Sequence, residues 1–272
     1  MLHQFSYAGP RSKQELFKIL DDHEGNAKVL AGGTDLLVNI RNGVMKPQLV
    51  VDIKKVSGYE GITYSPTEGL VFRPAVTINE ILKNQAVRDH YPLLQECGHD
   101  LASYQVRNRA TIMGNVVNAS PCSDMAPALL CLGAQAVIAS SKGTRVVPFT
   151  EFFTGVKKTV LSPAEVLESI IIPPTTAGAK GAYRKLKRIN GHDLGIIGVA
   201  VSIKGDVLRI AVSSAAPTPV VTPDLPASIS VEDAVAATRK IISPISDVRC
   251  SKEYREFMVE VFVKRLLTEV RK

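Results

Sequence analysis

Two short stretches of the sequence carry residue types suited to holding a phosphate. In Val29-Leu30-Ala31-Gly32-Gly33-Thr34-Asp35-Leu36 an apolar run enters a Gly-Gly pair and a helical run leaves it. Successive glycines let the backbone bend sharply and let a ligand approach where a Cβ would stand. The helix start beyond the bend offers free N–H groups and a partial positive charge, the setting in which phosphates are held. Thr34 adds a hydroxyl. The same residues also read as a plain strand-to-helix turn with Thr34 or Asp35 as N-cap, and the segment alone favours that simpler reading. A Rossmann-type dinucleotide turn is excluded, because Gly32-Gly33 lacks the GxGxxG spacing.

The second stretch is Gln105-Val106-Arg107-Asn108-Arg109-Ala110-Thr111-Ile112-Met113-Gly114-Asn115, continued by Ser120-Pro121-Cys122-Ser123-Asp124. It supplies donors for phosphate and sugar oxygens: the backbone at Gly114, the Thr111 hydroxyl and the Asn115 amide. Asp124 can accept from a sugar or ribityl hydroxyl, or cap the helix that follows it. Arg107 and Arg109 read as charges of which at least one is simply solvated.

Little else in the chain suggests chemistry. The cysteines Cys97, Cys122, Cys131 and Cys250 form no CxxC pair, so they read as free thiols and not as ligands of a metal or cluster. His3, His23, His90, His99 and His192 are scattered, and no acid–base or nucleophilic constellation appears. The formal net charge is +7, but Lys and Arg are spread along the chain and only 6% of residues are aromatic. That pattern argues against nucleic acid as a partner. The apolar runs are short and broken by Gly or Pro, so no membrane span is expected. The N-terminus lacks the pattern of a secretion signal, and a cytoplasmic location is the expectation.

These stretches need elements to position them. Residues 13–24 predict an amphipathic helix capped by Ser12, with Leu16, Phe17, Ile19 and Leu20 on one face. Ala27–Ala31 and Leu49–Ile53 predict buried strands, with a helix over 36–42 between them. From about Gly61 come short β-like pieces at Ile62–Tyr64, Leu70–Phe72 and Val76–Ile78, then short helices over 78–84 and 91–97. Thr111–Val117 reads as carrying a Gly-Asn turn, and Met125–Leu132 as a helix. Ala134–Ala139 and Arg145–Val147 predict a hairpin, and Val166–Ile172 a strand stopped by Pro173-Pro174. Beyond it, Tyr183–Arg188, Ile196–Ile203 and Val207–Ser213 predict three antiparallel strands, followed by helices over 231–241 and 252–270. In the last helix Tyr254, Phe257, Met258, Val261, Phe262 and Leu266 predict a core-facing stripe.

Taken together, the two stretches resemble the FAD-binding subunits of the molybdenum hydroxylase family, the xanthine dehydrogenase and carbon monoxide dehydrogenase type. The first is similar to that family's AGG-[TH]-[DS]-L phosphate loop, and the second to its QVRNRATIGGN…ASP…SD…P signature. Leu161–Leu167 with Ile170–Pro173, Tyr183–Arg188 with His192–Leu194, and Ile245–Arg255 match in the same order, so the likeness covers nearly the whole chain. The resemblance implies an α+β fold: a two-lobed FAD-binding domain of the vanillyl-alcohol-oxidase (PCMH) type, then a small α+β domain with a three-stranded sheet and helices. The implied division is 1–55, 56–174 and 175–272. It implies non-covalent FAD held by Val29–Leu36 around the pyrophosphate, by Thr111, Ile112, Gly114 and Asn115 as a second loop, and by Asp124, Leu167 and Lys185. It further implies a molybdopterin-binding large subunit and a small subunit with 2Fe–2S clusters as partners, with NAD or another acceptor taking the electrons. Leu194 stands where carbon monoxide dehydrogenases tend to place Tyr, which is closer to the xanthine dehydrogenase branch.

The pattern departs at Met113, where the family carries Gly; if that position needs positive φ, Met would cost energy there. Two other functions fit parts of the pattern. A stand-alone FAD oxidoreductase would need a larger substrate domain than the roughly hundred residues after Pro174. A non-catalytic binder of an anionic ligand would show no flavin.

Overall fold

The computed structural model describes residues 3–23, 25–189 and 191–272. Glu24, the last residue of the first expected helix, lies outside them. The first layer contains β1 (Ser6–Ala8), α1 (Lys13–Asp22), β2 (Ala27–Leu30), α2 (Leu36–Arg41) and β3 (Leu49–Asp52). Its three strands are parallel in the order β1-β3-β2. The central strand is buried at every position, as a strand covered on both faces must be. Ser12 caps α1 by accepting from the Glu15 N–H. Leu16 and Leu20, one helical turn apart, are buried with Val51, Ile53, Val56 and Tyr59.

The second layer is an antiparallel sheet built around a run of helices. Its strands are β4 (Ile62–Ser65), β5 (Gly69–Phe72), β6 (Gln135–Ser140), β7 (Gly143–Pro148) and β10 (Val166–Ile172), in the order β4-β5-β10-β6-β7. Between β5 and β6 run α3 (Ile78–Lys83), α4 (Gln85–His90), α5 (Pro92–His99), α6 (Tyr104–Arg107), α7 (Ile112–Val117) and α8 (Ala126–Cys131). After β7 come α9 (Phe149–Phe152) and the small hairpin β8 (Phe153–Gly155) and β9 (Lys158–Thr159). Two expectations are corrected here. Val76–Ile78 is not a strand: Thr77 forms a capping box with Glu80 and starts α3. Thr111–Val117 is not an open turn: Thr111 caps α7, and Gly114 and Asn115 lie inside that helix.

The third layer contains β11 (Lys180–Leu186), β12 (Ile197–Lys204), β13 (Val207–Ser213), the two-residue strands β14 (Val220–Val221) and β15 (Leu225–Pro226), and the helices α10 (Val231–Arg239) and α11 (Lys252–Val270). The three long strands match the expected antiparallel set, and β14 and β15 both pair with β13. Alternation divides this sheet between two neighbours. Val199, Val201, Leu208, Ile210 and Val212 face the helices. Ala200 and Ala211, paired across the strands, instead join the core of the second layer under α8.

The stripe expected on α11 is rotated. Phe262 and Leu266 are buried, with Val259, Val263, Leu267 and Val270. Tyr254 and Phe257 are exposed. The reason is Arg255, whose fully buried guanidinium takes the core-facing position in the first turns and donates to the Ile196 and Ser214 carbonyls. A buried cation in place must find such partners, and its position sets which face of the helix turns inward. No helix among the described residues is long and apolar enough to cross a membrane.

Candidate functional site

The first glycine stretch leaves the sheet at Leu30 and bends through Ala31–Asp35 into α2. Gly33 sits at φ +78°, in the left-handed region. Gly32 is needed for a different reason. A Cβ there would lie 2.1 Å from the Arg109 carbonyl oxygen, so the two stretches meet backbone to backbone at this point. Beneath the bend, Lys54 donates to the Ala31 carbonyl at 3.0 Å and pairs with Asp52 at 2.7 Å. Tyr7 donates its phenol proton to Asp52 at 3.0 Å. Burial pushes the Asp52 carboxyl up, but the hydrogen bonds from Lys54 and Tyr7 outweigh it and hold the group below the usual range. Sequence reasoning missed these three supports, since nothing in their local pattern ties them to the loop.

The helix-cap alternative for this stretch is not realised. Asp35 occupies the cap position of α2 with helical backbone angles and no side-chain hydrogen bond. The backbone N–H groups of Gly32, Gly33, Thr34, Asp35 and Leu36 find no acceptor among the described residues. Consecutive donors of this kind, on a bend that only glycine permits, are the arrangement that receives an anion.

The second stretch is pinned from below. Ile78 donates to the Ala110 carbonyl at 2.9 Å, and Ile112 to the Val76 carbonyl at 3.2 Å. Thr111 is buried, and its hydroxyl oxygen accepts the Gly114 N–H at 2.9 Å, so the Gly114 donor expected for a ligand is engaged in capping α7. Asn115 is half-buried; its carbonyl oxygen accepts from the Ser123 hydroxyl at 2.6 Å and the Met125 N–H at 3.4 Å. Ile112 and Met113 face the core. Met113 is not among the residues with positive φ, so the Gly of the family pattern is not required for the backbone path taken here. Arg109 is exposed and makes no side-chain ion pair among the described residues, as expected for one of the two arginines. Arg107 is not solvated: its guanidinium binds the carbonyls of His99, Leu101 and Ala102, fastening the turn after α5.

Asp124 does not cap α8; the Ser123 hydroxyl accepts from the Ala126 N–H in that role. Instead Asp124 pairs with Lys185 of β11 at 2.8 Å and accepts from the Tyr183 hydroxyl at 3.3 Å. The Lys185 side chain is almost wholly buried and also donates to the Asp100 carbonyl. Burial pushes the Asp124 carboxyl up against the pull of Lys185 and Tyr183. Gly198 makes this cluster possible, because a Cβ there would strike the Tyr183 hydroxyl at 2.6 Å. Leu167 is buried in β10, its side chain in the same core. Leu194 is exposed, next to an Asp193 that Arg188 holds well below the usual carboxylate range.

A further brace joins the third layer to the Ser120–Asp124 segment. Arg249 donates to the Cys122 sulfur at 3.2 Å and to the Gly195 carbonyl at 3.1 Å, while Asp247 holds both Arg249 and Arg255. Ser214, at φ +66°, donates its N–H to the Pro121 carbonyl. All four cysteines are free; Cys97 and Cys131 are fully buried, Cys122 and Cys250 half-buried. No group of three or more His, Cys, Asp and Glu side chains placed to hold a metal occurs among the described residues.

Comparison with known proteins agrees with this architecture. Residues 3–175 match the family described as the FAD binding domain in molybdopterin dehydrogenase. Residues 181–270 match the CO dehydrogenase flavoprotein C-terminal domain. The carbon monoxide dehydrogenase medium chain of Hydrogenophaga pseudoflava is 31% identical, over 97% of this chain and 96% of its own length. The xanthine dehydrogenase FAD-binding subunit of Escherichia coli O157:H7 is 29% identical, over 97% and 95%. Among solved structures, a Cu,Mo-CO dehydrogenase in its cyanide-inactivated form aligns with a TM-score of 0.92 at 27% identity, covering 99% of each chain. The chain therefore belongs to the family of FAD-binding medium subunits of xanthine dehydrogenase and CO dehydrogenase type oxidoreductases.

Proposed function

We propose that the chain holds FAD non-covalently across its two loops and serves as the electron-transfer subunit of a molybdopterin-dependent hydroxylase. The observation that carries the reading is the row of free N–H groups from Gly32 to Leu36, closed against the second loop at Arg109. In this reading Val29–Leu36 surround the pyrophosphate, whose charge the free N–H groups and the exposed Arg109 meet. The second loop, Thr111, Ile112, Gly114 and Asn115, lines the opposite side. The caps and braces at Thr111, Asn115 and Ser123 keep that loop rigid, so little ordering remains to oppose binding. Asp124, Leu167 and Lys185 border the far end of the site, with a remaining lone pair of the Asp124 carboxylate, both of whose oxygens Lys185 reaches, accepting from a ribityl hydroxyl.

When bound, FAD supplies the link between one-electron and two-electron carriers. The electrons come from 2Fe–2S clusters on a small partner subunit, after a molybdopterin-binding large subunit has oxidised the substrate. They leave to NAD or another acceptor. The names of the relatives, a medium chain of carbon monoxide dehydrogenase and a FAD-binding subunit of xanthine dehydrogenase, support this division of labour. The chain itself contributes binding, placement and the exclusion of water.

Acid release of flavin from the purified chain, with chromatographic identification and a visible spectrum, tests the reading. FAD in about equal amount to protein is the expected result. FMN in its place, or no flavin after incubation with excess FAD and the partner subunits, overturns it.

A further inference from the structure

The third sheet turns from apolar to polar along one face. In the register of β12 and β13, Ser202 opposes Arg209 and Lys204 opposes Val207. The period of two puts these side chains on the face of Ala200 and Ala211. The two alanines pack under α8, but the polar residues run past its end at Cys131. There the contact between the layers opens into a cleft of about 140 Å³, lined by Cys131, Thr175, Thr176, Ser202, Lys204 and Arg209, with Val207 at its rim.

Several groups in this cleft have hydrogen-bonding capacity unused by the protein. Ser202 lines the cleft, and its hydroxyl makes no hydrogen bond among the described residues. A hydroxyl that opens onto the cleft keeps its proton available to whatever enters there. The Lys204 ammonium donates to the Ala177 carbonyl, leaving two of its three protons free. Arg209 is fixed by a two-pronged pair with Asp224 at 2.6 and 3.2 Å and by a bond to the Cys131 carbonyl. Two cations against one carboxylate leave the cleft with a net positive charge. The Cys131 thiol is pushed up to about 12 by burial, so it stays protonated and the cleft is suited to binding and not to reaction.

We propose that this cleft is a second ligand site, taking a small oxyanion such as inorganic phosphate or a short carboxylate. The size agrees. At about 30 Å³ for each water in the liquid, the space holds a few waters or one tetrahedral anion, and a nucleotide is too large. The site is separate from the glycine loops: Cys131 ends the helix that Asp124 precedes, so α8 lies between the two. An anion seated on Lys204 and Ser202 would also touch Thr175 in the connection between β10 and β11, tying that connection to the third sheet.

Calorimetric titration with inorganic phosphate tests the proposal, using protein saturated with FAD so that the glycine loop is filled. Chloride at equal ionic strength is the control, and acetate is a second ligand. Expected is saturable phosphate binding that weakens by about tenfold or more in Ser202→Val and in Lys204→Gln, as loss of a hydrogen bond to a charged group should give. FAD affinity should be unchanged in both. Valine suits a strand and glutamine retains a donor for the Ala177 carbonyl, so both variants should fold. Binding of acetate in place of phosphate keeps the site and assigns it to carboxylates. No binding beyond the chloride control, or variants that bind as the wild type does, overturns the proposal. If the preparation takes up no FAD, the same comparison of variants on the free chain still decides the matter.

Discussion

Replacing Gly32 with Ala would put a methyl carbon 2.1 Å from the Arg109 carbonyl oxygen, 2.9 Å from its carbonyl carbon and 3.0 Å from the Ala110 Cα. All three are backbone atoms, so no change of rotamer relieves the clash. Ordinary contact begins near 3.4 Å, and the loops must therefore part by about 1.3 Å, the difference between 3.4 and 2.1 Å. The second loop is pinned to Val76 and Ile78, and the first is tethered through Lys54. Overpacking of this kind costs about 1–3 kcal/mol. If the loops part in the folded protein, the row of free N–H groups is displaced and FAD binds about 5- to 150-fold more weakly. If they stay closed, the same energy appears as a lower urea midpoint. Measuring the midpoint together with an FAD titration by flavin fluorescence captures both, and their sum should fall within the stated range. Gly33→Ala is the contrast: its Cβ would meet the Leu30 side chain, which can move, while the left-handed backbone costs about 1–2 kcal/mol. A Gly32→Ala protein with the midpoint and the FAD affinity of the wild type would refute the reasoning.

Other predictions concern the braces around the loops. Asp124→Asn leaves Lys185 buried without its counter-ion and should cost about 3–5 kcal/mol in chemical denaturation. The double variant Asp124→Leu with Lys185→Met should recover most of that loss, and a single variant as stable as the wild type would contradict the pairing. Met113→Gly, which restores the family residue, should destabilise by about 3 kcal/mol or more, because it empties a core position and places Gly inside a helix. An unchanged melting temperature would mean that the side chain contributes nothing to packing. Glu165, bonded first of all by Arg145, is held at about 2 in the folded state. Its contribution is complete above the unfolded value of about 4.3 and is lost as pH falls towards 2. Arg145→Gln should therefore flatten the fall in stability between pH 5 and 2; a curve parallel to that of the wild type would remove the assignment.

The elements were legible wherever local pattern decides them. Ser12 caps α1 because a short polar oxygen satisfies an N–H there whatever surrounds the helix. The apolar runs on either side of Lys204-Gly205-Asp206 placed β12 and β13 for the same reason. Position 77 was misread because Val-Thr-Ile has strand character, although Glu80 three residues on completes a local capping box that makes the threonine a helix cap. On α11 the apolar spacing pointed to Tyr254 and Phe257, since nothing local announces that Arg255 will be buried by the carbonyls of residues 196 and 214. At the site, the glycine pair was visible as a bend with free donors. The reason for Gly32 was not, because it lies in a backbone that arrives from residues 109–110. Lys54, Tyr7 and Arg249 were missed in the same way: each acts across a large separation in the chain, on atoms that belong to other elements.

Ala179, Tyr183, Ala200 and Ala211 lie in the same core as Leu70, Phe72 and Ile170, although they follow the connection at Pro173-Pro174. The C-terminal third is thus one wall of an interior that the preceding part only half encloses. Proteolytic nicking at that connection should leave two fragments that stay associated, whereas either fragment expressed alone would expose an apolar face and aggregate. Chimeras that exchange this third between relatives would inherit the same constraint. They should succeed only where the incoming strands present small residues beneath α8, so the unit that evolution or an engineer can shuffle is larger than the connection suggests.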